Sequence, residues 1–368
     1  MKTYFPNLNT LRFIAASLVI VHHIELYKSI FNLENWWNIG FFQVIGKIGV
    51  VLFFVLSGFL ITSLLLNEQK NHGFISIKKF YVRRILRIWP LYYLIVFLGF
   101  FVYPYINFFN IPDKNIFPEV LNNRIPNIFY YLTVFANLGW AIFKDVPYTS
   151  QTWSLATEEQ FYIFWPFLII FFRRRLLSIM VTVLISYWVV KILLGVLPKF
   201  TPDSYLRIIE ILQRFWFVFN INCMAIGGIA GVLVFKDKPV VNKFIYNRYF
   251  FWLCVVLSSL FLICGCKFGF FHYEVYALLF AYIIINLSSN KNYEKLLENK
   301  VTNYLGSISY GMYMLHFPVL TISIKIGQYL KSPFVAVYVL TFGLTILLSY
   351  ISYNYLEDYF LKLKSRFI

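Results

Sequence analysis

Long apolar stretches recur along the whole chain, and they limit its fold more than any other feature. A helix needs about 20 apolar residues to cross the hydrocarbon core of a bilayer, and about ten stretches reach roughly 17 to 25 residues. Only 13% of the residues are charged, against about 25% in a typical soluble domain. We therefore predict an all-α integral membrane protein, a bundle of about ten transmembrane helices forming one domain over residues 1–368. The predicted spans are 10–30, 46–66, 88–106, 153–172, 176–197, 208–235, 249–265, 270–288, 306–330 and 334–356.

The charged residues lie mainly between these stretches, and their distribution predicts an orientation. The chain has 33 Lys and Arg residues against 16 Asp and Glu residues. With both termini in the cytoplasm, roughly twenty cations lie in inner segments and about eight in outer loops, in agreement with the positive-inside rule. We interpret the basic excess as a topology signal and expect the lipid bilayer, not nucleic acid, as the partner. The predicted location is the inner (plasma) membrane, which the chain crosses several times.

The longest connection, about 106–152, lies on the predicted outer face. Within it, 128–143 is apolar but short and contains Asn137 and Trp140, so we expect a re-entrant or interfacial segment that does not span. No stretch predicts a water-soluble domain. The first apolar stretch carries Arg12 in its interior and lacks a small-residue cleavage site, so we expect it to be retained as a span. The four cysteines lack metal-ligand spacing, and we expect neither a metal site nor a disulfide framework.

Two ionisable residues share one face of the first span. Arg12 and His23 are eleven residues apart, which places them on one side of a helix, separated by about 16 Å. An ionisable group inside a span costs roughly 2.5 to 3.5 kcal/mol on insertion scales, so it normally faces the bundle interior and has a partner or a function. The alternative is a packed histidine that is hydrogen-bonded to a neighbouring helix. The alignment with Arg12 favours a functional His23.

Three arginines precede the third span within FYVRRILRIWPLYY, residues 80–93. Arg84 and Arg87 are three residues apart and can share a helical face, and Arg83 is adjacent. Guanidinium groups bind phosphate oxygens in pairs, so this cluster is a candidate polyanion site. The alternative is ordinary anchoring at lipid headgroups, which composition alone favours.

The fourth predicted span begins with an unusually polar run. Glu158 and Glu159 point in different directions from a helix, so at most one easily reaches the bundle centre. We expect that one to pair with a cation or with His23, whose imidazole it would orient. The neighbouring candidates are Trp153, Ser154 and Tyr162.

The ninth predicted span contains His316, with Tyr313 one turn earlier. Two interpretations account for these residues. They either pack and form helix–helix hydrogen bonds, or they lie on the acceptor side of a site. His272 and Glu274 lie at a predicted outer boundary and receive no role.

Taken together, these blocks resemble the membrane acyltransferase-3 family, and the resemblance covers the whole chain. Each block is weak alone, but their order and spacing are specific. One departure is Val51, where members often carry Asp, so a role for that acid does not apply here. The matching blocks are NLNTLRFIAASLVIVHH, GVVLFFVLSGFLI, RRILRIWPLYY, WSLATEEQFYIFWP, LGSISYGMYMLHFPV and SYNYLEDYF.

The resemblance implies ten spans and an enzyme that moves acyl groups from the cytoplasm to extracytoplasmic sugars and similar acceptors. It favours acetyl, with acyl-CoA as donor substrate and no resident cofactor. Acceptors of this kind include surface polysaccharide, peptidoglycan and lipid-linked glycan. Many members add an SGNH-type hydrolase domain. This sequence carries none, so we expect direct transfer or a separate periplasmic transferase partner, and the chain could form a homo-oligomer.

Under this hypothesis the phosphates of acyl-CoA lie on Arg84 and Arg87, with Arg83 nearby, and the donor arm passes Arg12. His23 acts as general base toward the acceptor hydroxyl, and Glu158 or Glu159 orients it. Direct transfer and an acyl-enzyme intermediate both fit.

The alternative classes are a polysaccharide exporter or flippase, a glycan polymerase and an inactive sensor. A transporter would show paired halves and broken helices at the midplane. We find no internal repeat, which favours the enzyme.

Overall fold

The computed structural model describes residues 4–112, 116–143, 145–236, 243–330 and 333–365, and within these ranges the chain forms helices and no strand. Seven helical segments of this part are long and apolar enough to cross a membrane. The prediction of an all-α membrane bundle is therefore confirmed. The seven segments are Leu8–Ile30, Gly40–His72, Ile77–Tyr105, Arg173–Phe200, Asp203–Lys236, Gly269–Ser289 and Phe334–Leu363.

The other three predicted spans also coincide with helices, but these do not meet the same standard of length and hydropathy. One of them, Arg248–Ile263, is a shorter apolar helix of 16 residues. The remaining two, Thr152–Phe171 and Ser309–Gly327, carry the polar residues singled out above. A count of ten spans thus remains a prediction, as does the location of the termini. Several of the cations that predict the orientation lie outside the described residues: Lys2, Lys114, Lys144, Lys238, Lys331 and Arg366.

We number the helices in chain order. They are α1 (Leu8–Ile30), α2 (Gly40–His72), α3 (Ile77–Phe101), α4 (Ile116–Asn122), α5 (Arg124–Leu132), α6 (Ala136–Phe143), α7 (Thr152–Phe171), α8 (Leu176–Val196), α9 (Asp203–Val218), α10 (Ile221–Lys236), α11 (Arg248–Ile263), α12 (His272–Ser289), α13 (Lys300–Ser307), α14 (Ser309–Gly327), α15 (Pro333–Ile351) and α16 (Asp358–Ser365). A π-helical turn, Ser352–Glu357, joins the last two.

Helix α2 forms the centre of the bundle, and its closest neighbours are α10 and α1. Small residues make these approaches possible, as is usual where helices associate in lipid. A Cβ atom on Gly58 would lie 1.9 Å from the Met224 carbonyl oxygen, and one on Gly227 would lie 2.1 Å from the Val55 carbonyl oxygen. The glycine pair therefore brings the backbones of α2 and α10 into direct contact.

The segment 128–143 does not form one helix. It contains the end of α5 and the whole of α6, which have nine and eight residues, too few to cross a bilayer. Asn137 of α6 is buried, and its amide exchanges hydrogen bonds with the amide of Gln160 in both directions, each 3.0 Å long. This pairing satisfies two buried amides and fixes α6 against α7, as expected for a segment that enters the bundle without spanning it.

A buried ion pair lies near the end of α1. Glu25 accepts hydrogen bonds of 2.7 Å from both Lys28 and Tyr338, and from the Trp36 backbone amide. Both Glu25 and Lys28 are fully buried. Because isolated charges are costly inside a bundle, the pair holds together the end of α1, the α1–α2 loop and α15.

Candidate active site

Two small cavities adjoin inside the bundle. One has a volume of about 100 Å³ and is named here the arginine cavity; the other, of about 220 Å³, is named the histidine cavity. Val50 and Tyr313 line both, so these two side chains form the wall between them. The arginine cavity is lined by, among others, Arg12, Ser57, Arg84, Arg87, Ser154, Glu158, Tyr162 and Tyr310. The histidine cavity is lined by, among others, Val19, His22, His23, Lys47, Asp145, Gln151 and Trp153.

Helix α1 contributes one key residue to each cavity. Arg12, near its beginning, faces the arginine cavity, and His23, three turns later, faces the histidine cavity. Both lie on the face of α1 that the eleven-residue spacing predicts. The cavities thus lie at successive depths along α1, with the arginine cavity toward the end where α1 begins.

His23 contacts a second histidine. The His23 Nδ1 atom lies 3.1 Å from His316 Nε2, and His316 Nδ1 lies 2.7 Å from the Tyr313 carbonyl oxygen. A carbonyl oxygen only accepts, so His316 carries a proton on Nδ1, and in the neutral form of the ring Nε2 is then the acceptor. His23 then donates from Nδ1. In this arrangement the Nε2 atom of His23 keeps its lone pair and is available as a base.

A proline in α14 accounts for the position of Gln151. Pro318 has no N–H group, so the carbonyl of Met314, four residues earlier, lacks its usual helical donor. The side-chain amide of Gln151 supplies one, donating to the Met314 oxygen over 2.8 Å. The loop before α7 is therefore attached to α14 between Tyr313 and His316.

The arginine cavity combines cations with one carboxylate. Glu158 accepts hydrogen bonds from Ser57 (3.1 Å) and from the Tyr162 hydroxyl (3.0 Å). The Arg84 guanidinium carbon lies 4.5 Å from the centre of the Tyr162 ring, a cation–π distance. Arg12 donates to the Asn9 side chain over 3.1 Å. The arginine cavity therefore has an excess of positive charge.

Arg83 and Glu159 are not among the residues that line either cavity. Arg83 donates to Glu68 over 3.1 Å, so the structure gives it a partner on α2. Of the adjacent acids, Glu158 faces the arginine cavity. The expectation that a glutamate orients His23 is not what the geometry shows, because the contact of His23 Nδ1 is with His316.

The remaining sequence candidates lie around the wall between the cavities. The Ser154 and Tyr313 hydroxyls are 2.7 Å apart, and Tyr313 also donates to the Gln151 carbonyl over 3.1 Å. Trp153 lines the histidine cavity and packs edge-on against Phe54, with ring centres 6.3 Å apart. These contacts connect the start of α7 to α14.

Sequence reasoning missed Gln151, Lys47 and the part played by His22. His22 also lines the histidine cavity, and its Nδ1 atom lies 2.6 Å from the Phe42 carbonyl oxygen. The signal for Gln151 was Pro318, since a proline inside a span leaves a carbonyl that some side chain must satisfy. Lys47 had a simpler signal, a cation two turns into a strongly apolar helix.

Comparison with known proteins gives matches over nearly the whole chain. A family model described as an acyltransferase domain matches residues 5–354. A Staphylococcus aureus (strain COL) protein named "Putative O-acetyltransferase" is 29% identical over 98% of this chain and 58% of its own length. The "Peptidoglycan O-acetyltransferase OatA" of Listeria monocytogenes is 27% identical over 97% of this chain and 56% of its own. The chain thus spans less than two thirds of these relatives. No solved structure matches it.

Proposed function

The chain belongs to the acyltransferase-3 family, and from that premise we propose that it is a membrane O-acyltransferase. It transfers an acetyl group from acyl-CoA in the cytoplasm to a hydroxyl group of a carbohydrate on the other side of the plasma membrane. The observation that carries this proposal is the pair of adjoining cavities, with arginines at one end and a histidine base at the other.

The proposed topology follows from the charge distribution. Both termini are cytoplasmic and about ten helices span the bilayer, as the positive-inside rule predicts. Arg12 is near the beginning of α1 and Arg84 near the beginning of α3, so the arginine cavity lies toward the cytoplasm. The histidine cavity lies toward the outside, where a carbohydrate acceptor can reach it.

Arg84 and Arg87 bind the phosphates of the donor, because guanidinium groups form paired, charge-assisted hydrogen bonds to phosphate oxygens. Sites for ligands of drug size usually have volumes of about 300 to 1,000 Å³, and both cavities are smaller. The nucleotide of CoA therefore stays at the cytoplasmic mouth. The pantetheine arm passes Arg12 and brings the thioester to Tyr313.

At the wall between the cavities, His23 Nε2 takes the proton of the acceptor hydroxyl. The hydroxyl oxygen forms a bond to the thioester carbon, and the carbon–sulfur bond then breaks. The proton on His23 passes to the departing thiolate, which leaves as the free thiol of CoA. General base catalysis of this kind contributes about 10² to 10⁴ in rate.

Two neighbours support this step. His316 is a positioning residue: it accepts from His23 Nδ1 and so keeps the lone pair on Nε2. The hydroxyl of Tyr313, which lines both cavities, would exchange its present acceptor, the Gln151 carbonyl, for the oxyanion of the tetrahedral intermediate, a role in which one donor is worth about 3 to 4 kcal/mol. An acyl-enzyme variant would use the same residues, with the acyl group resting first on a protein side chain.

Two facts support acetyl as the acyl group. The relatives named above are called O-acetyltransferases. The arginine cavity, at about 100 Å³, also leaves little room for a long chain beside the thioester. The acceptor is a cell-surface or cell-wall carbohydrate.

The test uses purified protein in liposomes with labelled acetyl-CoA. We expect the native chain to bind acetyl-CoA and to release or transfer the label. His23→Ala should bind the donor without reacting, and the double variant Arg84→Gln/Arg87→Gln should lose binding. A native chain that does not bind acetyl-CoA, or a His23→Ala variant that reacts normally, would contradict the proposal. Movement of an intact glycan across the liposome without acyl transfer would identify a flippase.

A further inference from the structure

A third and larger cavity lies at the same end of the bundle as the histidine cavity. Its volume is about 570 Å³, within the usual range for small-molecule sites. It is lined by residues of α2, of α8, of α9 and the connection that follows it, and of the connection before α12 together with the start of α12. No motif in the sequence pointed to it, because its lining comes from four separate parts of the chain.

Cations dominate the charge of this third cavity. Lys47, Lys191 and Lys267 line it, and among its described lining residues there is no Asp or Glu. Glu274 lies behind the wall, where it accepts hydrogen bonds of 2.9 Å from Trp188 and Asn222; its nearest oxygen is 3.9 Å from Lys191. That acid offsets one lysine. The cavity therefore keeps a positive potential and favours an anionic ligand.

Lys47 and Lys267 carry most of this potential. Lys47 is exposed to the cavity although it lies two turns into α2, and its ammonium nitrogen is 3.7 Å from the centre of the Phe217 ring. Lys267 is exposed in the loop before α12. In the part of the chain that the structure describes, neither lysine pairs with a carboxylate.

The rest of the lining suits a sugar. The rings of Tyr187 and Trp216 stack with their centres 5.2 Å apart, and Trp216 lines the cavity with Tyr273. Aromatic faces pack against the C–H faces of sugar rings, while side-chain amides hydrogen-bond to hydroxyl groups. Gln213 supplies such an amide through its oxygen, since its Nε2 atom already donates to the Leu194 carbonyl over 2.7 Å. A lysine-lined cavity with aromatic and amide walls is a site for an acidic sugar.

The third cavity also adjoins the histidine cavity. Lys47 lines both of them. A ligand whose anionic group is held by Lys47 would therefore lie beside the cavity that contains His23. This position places the third cavity next to the acceptor side.

We propose that this third cavity binds the acceptor, and that the acceptor is an anionic carbohydrate whose carboxylate or phosphate group is held by Lys47 and Lys267. The inference rests on the proposed function, since it assumes that His23 serves a carbohydrate hydroxyl. It adds the charge class of the substrate and the residues that select it.

The experiment measures binding to the purified protein in nanodiscs of zwitterionic phosphatidylcholine. The probes are an oligosaccharide of galacturonic acid and a galactose oligosaccharide of equal length. We expect the acidic probe to bind at least tenfold more tightly to the native chain, and this preference to weaken with added salt. The double variant Lys47→Gln/Lys267→Gln should lose the preference. Lys199→Gln, which removes an exposed lysine near the end of α8 outside the cavity, should retain it.

Acetyl-CoA binding is measured on every sample. If the native chain binds acetyl-CoA but shows no preference for the acidic probe, or if the double variant keeps the preference, the acceptor proposal is wrong while the proposed function stands. If acetyl-CoA itself does not bind, the proposed function fails. A further arm adds phosphatidylglycerol to the nanodiscs. Full displacement of the acidic probe by this lipid would mean that the cavity binds an anionic headgroup, which also overturns the proposal.

Discussion

His23 Nδ1 and His316 Nε2 lie 3.1 Å apart, although the two residues are 293 positions apart in the chain. The Tyr313 carbonyl sets the proton position on His316, and His316 in turn sets it on His23. The two contacts therefore favour one tautomer of His23, and they end on a backbone oxygen that can only accept.

His316 can be tested as a positioning residue. His316→Leu removes the acceptor for His23 Nδ1, and we expect kcat to fall at least tenfold, but by no more than the 10² to 10⁴ that a general base is worth. KM for acetyl-CoA should change little, because His316 does not itself line the arginine cavity. His316→Gln retains a side-chain oxygen acceptor and should keep more of the rate. Equal losses in both variants, or a change confined to KM, would argue against this role.

Arg83, Arg84 and Arg87 should contribute unequally to acetyl-CoA binding. Arg84→Gln and Arg87→Gln each remove a charge from the arginine cavity, and each should weaken acetyl-CoA binding about tenfold or more, since a hydrogen bond to a charged group is worth roughly 1.5 to 3 kcal/mol. Arg83→Gln is the matched control, because Arg83 bonds to Glu68. Isothermal titration at two salt concentrations measures the effect. An equal loss for all three variants would place the donor phosphates outside the cavity.

The α2–α10 contact predicts a large cost for one added methyl group. Gly58→Ala puts a Cβ atom 1.9 Å from the Met224 carbonyl oxygen, so the helices must separate. We expect the free energy of unfolding to fall by about 1 to 3 kcal/mol. Gly343→Ala, where the new Cβ atom would have open space, should be neutral or slightly stabilising, since alanine is the better helix former. Thermal melting in detergent compares the two, and similar melting temperatures would contradict the close packing.

The link between Gln151 and Pro318 predicts a rescue. Gln151→Leu leaves the buried Met314 carbonyl without a donor, at a cost of about 1 to 3 kcal/mol. Pro318→Ala restores a backbone N–H four residues after Met314. The double variant should therefore be more stable than the sum of the stability changes of the two single variants predicts. A double-mutant cycle on the melting temperature measures this coupling. Strict additivity would mean that Gln151 contributes nothing to this carbonyl.

The fold was largely predictable because a bilayer leaves few options for an apolar chain. Hydropathy located the seven helical segments that are long and apolar enough to span a membrane, and the eleven-residue spacing placed Arg12 and His23 on one face of α1. The sequence also indicated that the segment 128–143 does not span, because it is short and contains the polar amide of Asn137.

The contacts between spans were not predictable in the same way. Periodicity shows that Glu158 and Glu159 point apart, but it cannot tell which one meets Arg84, because that depends on how α7 is rotated against α3. The partner of His23 lies in α14, and nothing local in α1 indicates it. The lysine-lined cavity escaped notice for the same reason, since Lys47 and Lys267 meet only after the bundle has formed.

The thin wall made by Val50 and Tyr313 also bears on the energetics of the membrane as a whole. Where water enters a bundle from both ends, the transmembrane voltage falls mainly across the remaining dry barrier, and each elementary charge that crosses it exchanges about 2.3 kcal/mol per 100 mV. Under the proposed function, the acetyl group is transferred outward across this barrier while the proton of the acceptor hydroxyl passes inward to the CoA thiolate, so the exchange moves no net charge. Such a bundle joins the chemistry of two compartments while remaining an electrical insulator between them.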